Sequence, residues 1–154
     1  MGTYVATVVW SRGDQVFTDG KYSRAHRWRF DGGADVPASA SPHVVKTPLS
    51  DPAGVDPEEG FIASLASCHM LFFIDFARRA GFRIDSYEDN VEGVLAKDAQ
   101  GKMSMTVVTL RTKIVFSGDK MPTPADLDEL HHKSHEACYI ANSVKSEVRV
   151  EPTG

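Results

Sequence analysis

The stretch Asp56-Pro-Glu-Glu-Gly-Phe-Ile-Ala-Ser-Leu-Ala-Ser-Cys-His-Met-Leu-Phe-Phe-Ile74 decides the architecture of this chain. Asp56 has the side chain of a helix N-cap. Pro57 suits the first helical position, where its missing N–H would have no partner in any case, and Glu59 stands three residues after the cap, as in a capping box. The spacing predicts a helix from Pro57 to Ala80 that stops at Gly81. Apolar or small side chains cover nearly its whole circumference from Phe61 to Ile74, and only near Asp75, Arg78 and Arg79 does it look wet. Such a helix is expected to be buried on most sides. Ala63, Ser64, Ala66 and Ser67 also let another backbone come close.

Toward the N-terminus, Thr3 to Trp10 has the β-branched and aromatic content of a strand, Arg12-Gly-Asp14 forms a turn, and His26-Arg-Trp-Arg-Phe30 alternates as a second short strand ended by Asp31-Gly-Gly33. Pro37, Pro42, Pro48 and Pro52 exclude regular structure for most of the segment from Ala34 to Val55. A loop of that length is characteristically functional or laid over another subunit. Toward the C-terminus, Ser86 to Ala96 and Met103 to Phe116 read as two long strands of an antiparallel hairpin turning at Gly101. Thr123-Pro-Ala-Asp126 caps a second helix that reaches about Ala137, and Ser146 to Val150 is a last strand. The sum is a single α+β domain over residues 1–154, with antiparallel strands packed on one long central helix and a shorter second one.

A chain of 154 residues with 42% hydrophobic content supports one sizeable core. Its formal charge of −4 leaves no footprint for nucleic acid or an anionic membrane, so small molecules or a second copy are the expected partners. The longest apolar run is interrupted by Ser64, Ser67 and His69, and no basic start precedes an apolar segment, so neither a membrane span nor a signal peptide is expected and the chain reads as cytoplasmic. Two cysteines are too few for a disulfide scaffold. In a reducing compartment such thiols serve packing, metal binding or catalysis.

Cys68 lies on the helical stripe Phe61, Leu65, Cys68, Phe72, where packing is the commoner role. A mid-helix thiol becomes a nucleophile only if a cation or hydrogen-bond donor reaches it, so a catalytic role requires an arginine, and Arg24, Arg27 and Arg29 are the candidates. His131, His135 and Cys138 can project from one helix face, with His69 or Cys68 completing a zinc site, although solvent-facing or core histidines explain the same residues. Glu58 in the first helical turn is accounted for by the helix dipole alone. It lies ten residues before Cys68, about 15 Å along a helix axis, so the two cannot touch within one straight helix.

The run from Asp56 to His69 closely resembles the OsmC/Ohr family, the osmotically inducible and organic hydroperoxide resistance proteins. Its Asn/Asp-Pro-Glu-Glu/Gln helix start, a cysteine ten residues after the first glutamate, and a later cysteine before a small polar segment are matched by Glu58, Cys68 and Cys138, with Asn142 and Ser143 following. The chain departs in having His69 beside Cys68 and Tyr139 where many relatives have proline. The resemblance implies an intertwined homodimer with two sites at the subunit interface. It implies a thiol-dependent peroxidase acting on organic hydroperoxides, without a cofactor and recycled by an external thiol or dithiol. Cys68 would be the peroxidatic and Cys138 the resolving cysteine, with Glu58 holding an arginine, here Arg24, that activates Cys68. The aromatic side chains of Phe61, Phe72 and Phe73 would then line the substrate tail, although core packing explains them equally. A non-catalytic redox sensor or small-ligand-binding dimer of the same fold is the alternative.

Overall fold

In the computed structural model, which describes residues 1–153, the capping box at Asp56 is formed in both directions. The Asp56 N–H donates to Glu59 Oε1 at 3.1 Å, and the Glu59 N–H donates to Asp56 Oδ1 at 2.8 Å. Helix α1 runs Pro57–Arg79. It ends on Gly81, whose φ of 86° only glycine adopts without strain, with the Gly81 and Phe82 N–H groups donating to the Arg78 and Ala77 carbonyls. Its buried residues, Leu65, Ala66, His69, Phe73 and Ala77, form one stripe at helical spacing. The expectation of burial on most sides is therefore corrected: Ser64, Ser67 and Leu71 are exposed in the single chain, Leu71 at 57%. By length and composition α1 is apolar enough to cross a membrane, the interrupting polar residues notwithstanding. One such helix is weak evidence, because a packed core helix has the same composition.

The chain divides into two compact units, one from Met1 to Gly60 and the other from Phe61 onward. The first holds the antiparallel sheet β1 (Ala6–Val9), β2 (His26–Phe30) and β3 (Asp35–Ala38), in that order. Strand β3 lies in the segment expected to be irregular. Its Pro37 is tolerated because β3 is at the sheet edge, where a missing N–H costs no ladder bond. The rest of the proline-rich segment is held by small polar side chains. Ser39, Ser41 and Ser50 are all buried, the Ser39 hydroxyl accepts from the Asp51 N–H at 2.8 Å, and the Ser50 hydroxyl donates to the Val45 carbonyl at 2.6 Å. Ala38 and Val55 close the segment in an isolated β-bridge.

The second unit contains β4 (Arg83–Asp89), β5 (Glu92–Lys97), β6 (Met103–Leu110), β7 (Thr112–Ser117), α2 (Pro124–Ala137), a 3-10 turn (Ala141–Ser143) and β8 (Glu147–Val150). Each of the two long strands expected from sequence is cut in two. β4 pairs with β7 in one sheet, while β5, β6 and β8 form another, and the break falls at Asn90 and Val91 on one strand and Arg111 on the other. There the Arg111 N–H leaves the ladder to donate to Asp89 Oδ1 at 2.8 Å. The hairpin itself is β5–β6, turning at Gly101 with φ 76°. β8 runs parallel to β6, the one departure from an all-antiparallel arrangement among the described strands. The fold is α+β. Two apolar clusters fill this unit: Leu65, Ala66, Val108, Leu110 and Cys138 in one, and Phe73, Ala77, Phe82 and Leu130 in the other.

Candidate active site

Helix α2 begins with a capping box at Thr123 and ends at Cys138, whose N–H still donates to the Ser134 carbonyl at 2.9 Å. That puts the Cys138 side chain wholly inside the first apolar cluster. Cys68 reaches the same cluster from α1, on the flank of the buried stripe, and is half-buried. The two thiols are free and are neighbours in this cluster, near enough for Cys68 to act on the ionisation of Cys138. Burial is the main cause that pushes the Cys138 thiol up to about 11; the Ala141 N–H, which donates to its sulfur at 3.4 Å, pulls the other way, and neighbouring Cys68 adds to the rise. Phe61 and Phe72 pack beside the pair, and Tyr139 meets Phe72 edge-on at 5.1 Å. Phe73 does not line this site. It is fully buried in the second cluster, packed on Tyr87 and on the ring of His131 at 4.5 Å.

The histidines around the thiols are arranged differently from a zinc site. His69 Nε2 and His131 Nδ1 lie 3.0 Å apart, the rings are stacked, and His131 Nε2 is 3.5 Å from the Thr112 hydroxyl. One imidazole therefore donates to the other. Burial, followed by the proximity of His131 and His135, lowers His69 to about 4, and burial lowers His131 to about 4, so both rings are neutral near pH 7. Among the described residues no group of three or more His, Cys, Asp or Glu side chains converges as a metal would need.

Glu58 and Arg24 belong to the first unit. Glu58 Oε2 is buried without a hydrogen-bond partner. Arg24 donates through Nη1 to the Gly20 carbonyl at 3.0 Å and to the Tyr22 carbonyl, with its guanidinium 3.7 Å over the Tyr22 ring. Arg27 and Arg29 are both drawn to Asp35, at 2.6 and 3.5 Å, so Arg24 is the one of the three without a carboxylate partner among the described residues. Glu58 and Arg24 are not joined to each other.

Arg24 lines a cavity of about 460 Å³ walled by Val8, Trp10, Phe17 and Tyr22, with His26 and Pro57 at its edge. The three aromatic rings pack with centroids 4.8 to 5.8 Å apart. Phe17 holds its place at φ 74°, the one positive φ outside glycine among the described residues and a strained conformation for so bulky a side chain. Sequence reasoning missed this cluster because Trp10, Phe17 and Tyr22 all lie in the irregular segment between β1 and β2, where aromatic residues carry no common period.

Residues 50–153 match the family model described as OsmC-like protein. The chain belongs to the OsmC-like proteins. No curated protein matches the sequence. Among solved structures, this OsmC-like chain is similar to an OsmC-like protein of unknown function from Vibrio cholerae O1 biovar eltor, with a TM-score of 0.97, 52% identity, and coverage of 99% of this chain and 100% of that one. It shares its fold with the organic hydroperoxide resistance protein OhrB of Bacillus subtilis, with a TM-score of 0.67 at 22% identity over 99% and 98% of the two chains. An organic hydroperoxide resistance protein from Legionella pneumophila is similar in the same way, with a TM-score of 0.68 at 17% identity over 99% and 96%.

Proposed function

We propose that the protein is a cytoplasmic thiol-dependent peroxidase that reduces organic hydroperoxides through its two cysteines. The observation that carries this is the placement of Cys68 and Cys138 as neighbours in one apolar cluster, one thiol half-buried and the other wholly buried. Membership of the OsmC-like proteins and the shared fold with two organic hydroperoxide resistance proteins support it. In this mechanism the Cys68 thiolate attacks the distal peroxide oxygen, an alcohol leaves, and Cys68 becomes a sulfenic acid. Cys138 then attacks the Cys68 sulfur, and an external thiol or dithiol reduces the disulfide. The apolar Arg24 cavity suits the tail of an organic hydroperoxide. After one equivalent of cumene hydroperoxide, intact-mass and peptide analysis is expected to find a Cys68–Cys138 disulfide; an unmodified pair rejects the mechanism.

The working unit in this proposal is a homodimer. A groove of about 880 Å³ lined by Leu71, Ile74, Ile84 and Tyr87 leaves the outer face of α1 open to a second copy. Glu58, about 15 Å from Cys68 along α1, then serves the Cys68 of the other copy by holding Arg24 against it. Mixed dimers of Glu58→Ala and Cys68→Ser subunits are expected to recover one intact site per dimer. Activity no higher than that of the two parents would show that both residues serve the same copy.

A further inference from the structure

Arg24 stands two residues before β2, outside any sheet, so no strand ladder holds its main chain. Two other contacts do. The Arg24 N–H donates to the Leu49 carbonyl at 2.7 Å, and the Arg24 carbonyl lies 2.7 Å from His26 Nδ1. A carbonyl can only accept, so the second contact is a hydrogen bond only if Nδ1 carries the ring's proton.

Trp28 sets that tautomer. It follows His26 by two residues on β2, on the same face of the sheet, and its indole N–H donates to His26 Nε2 at 3.2 Å. An indole N–H can only donate, which leaves Nε2 bare and puts the proton on Nδ1, directed at the Arg24 carbonyl. The Trp28 ring is in turn seated on the first turn of α1. A Cβ added at Gly60 would come within 2.5 Å of it, so the ring fills the space that any other side chain at this position would need. Glu58 lies in that same turn. A chain of contacts thus runs from the turn that carries Glu58, through Trp28 and His26, to the main chain of Arg24.

Such a chain fixes geometry. The Arg24 guanidinium folds back on the Gly20 and Tyr22 carbonyls and on the Tyr22 ring, so its place follows that of its own main chain. An arginine that activates a thiolate has to meet it with its donors already aimed, and a misplacement of about 1 Å can cost on the order of a hundredfold in rate. We propose that His26, held in one tautomer by Trp28, is a positioning residue that sets Arg24 for the attack of Cys68 on the hydroperoxide. This rests on the peroxidase reading above and on the part it gives to Arg24. His26 acts only through Arg24 and exchanges no proton with the reacting groups.

The test compares His26→Leu, which removes both ring nitrogens, with His26→Asn, whose amide N–H can replace that of Nδ1 toward the Arg24 carbonyl. Each is made in the wild-type protein and in Arg24→Ala. After one equivalent of cumene hydroperoxide, timed quenching with dimedone and mass spectrometry give the rate at which Cys68 is oxidised, counting sulfenic acid and disulfide together. In the wild-type background leucine is expected to slow this step about tenfold, and asparagine by no more than about twofold. Arg24→Ala is expected to be about a hundredfold slow by itself and is followed for correspondingly longer. There leucine is expected to change nothing further, because the two residues act as one unit. A residue that merely lined the cavity or supported the fold would impose the same loss in both backgrounds. That outcome overturns the proposal, as does wild-type oxidation in the leucine variant or an asparagine variant as slow as the leucine one. If the leucine variant fails to fold, Trp28→Phe takes its place, keeping a ring on Gly60 without the indole N–H. Its expected loss is about threefold and confined to proteins that keep Arg24; no loss, or an equal loss without Arg24, overturns the proposal. Wild-type oxidation in Arg24→Ala overturns the part of Arg24 and this proposal with it, leaving the two cysteines in place. A wild-type Cys68 that is not oxidised overturns the peroxidase reading itself.

Discussion

Replacing Cys68 with serine is expected to lower hydroperoxide turnover by on the order of a thousandfold or more, because a hydroxyl cannot stand in for a thiolate toward peroxide oxygen. Cys138→Ser has a different expected outcome. The first step needs only Cys68, so the variant should consume one equivalent of cumene hydroperoxide per chain, hold Cys68 as a sulfenic acid that dimedone traps, and then stop under a dithiol that turns over the parent. Because Cys138 is wholly buried, its serine variant also places a hydroxyl in an apolar cluster, at a cost of about 1–3 kcal/mol unless the hydroxyl finds a partner. Circular dichroism melts run beside the assay separate that loss from loss of chemistry. Full turnover by a folded Cys68→Ser protein would remove the thiol from the mechanism altogether.

Acid is expected to weaken the fold through His69 and His131. Both are lowered from 6.5 to about 4 in the folded chain, while in the unfolded chain they titrate near the ordinary value. Below pH 6.5 the unfolded chain therefore binds protons that the folded chain refuses. The stability present above pH 6.5 is lost as the pH falls toward 4, where the folded rings begin to protonate and the loss levels off. For one ring the full difference is on the order of 3 kcal/mol, a large share of the stability of a small domain. Urea midpoints measured from pH 7.5 to 4 should follow this curve in the parent and a shallower one in His131→Gln, which removes one titrating ring while leaving a polar group facing His69. Identical slopes in the two proteins would assign the acid sensitivity elsewhere.

The parts of the fold written in local chemistry were legible in the sequence. Asp56, Pro57 and Glu59 specify the start of α1, Thr123 and Asp126 the start of α2, and the alternation of His26 to Phe30 gives β2 its bounds, because caps and short periods involve residues a few positions apart. Legibility ended where a strand leaves one sheet for another. Nothing in the period of Ser86 to Ala96 marks Asn90 as a crossing point, since the crossing is set by the Arg111 N–H meeting Asp89 from a distant strand. β3 was hidden by Pro37, which argues against a central strand and is silent about an edge one. The same limit applies to the site. The approach of Cys138 to Cys68 was implied only by a family resemblance, and the contact of His69 with His131, 62 residues away, left no local trace.

The stitched proline-rich segment has a bearing on molecular recognition. Ser39 and Ala40 form part of the wall of the Arg24 cavity, and Ser39 is fixed by the Asp51 N–H at its hydroxyl and by the Val55 carbonyl at its own N–H. A loose loop in that position would have to be ordered by each arriving molecule, which typically subtracts about 0.5–1.5 kcal/mol for every side chain immobilised. Here that ordering is completed during folding. If the cavity takes the hydroperoxide tail as proposed, affinity there is set by the fit of the guest to Trp10, Phe17 and Tyr22, and guests of different length are sorted by a wall that is already fixed.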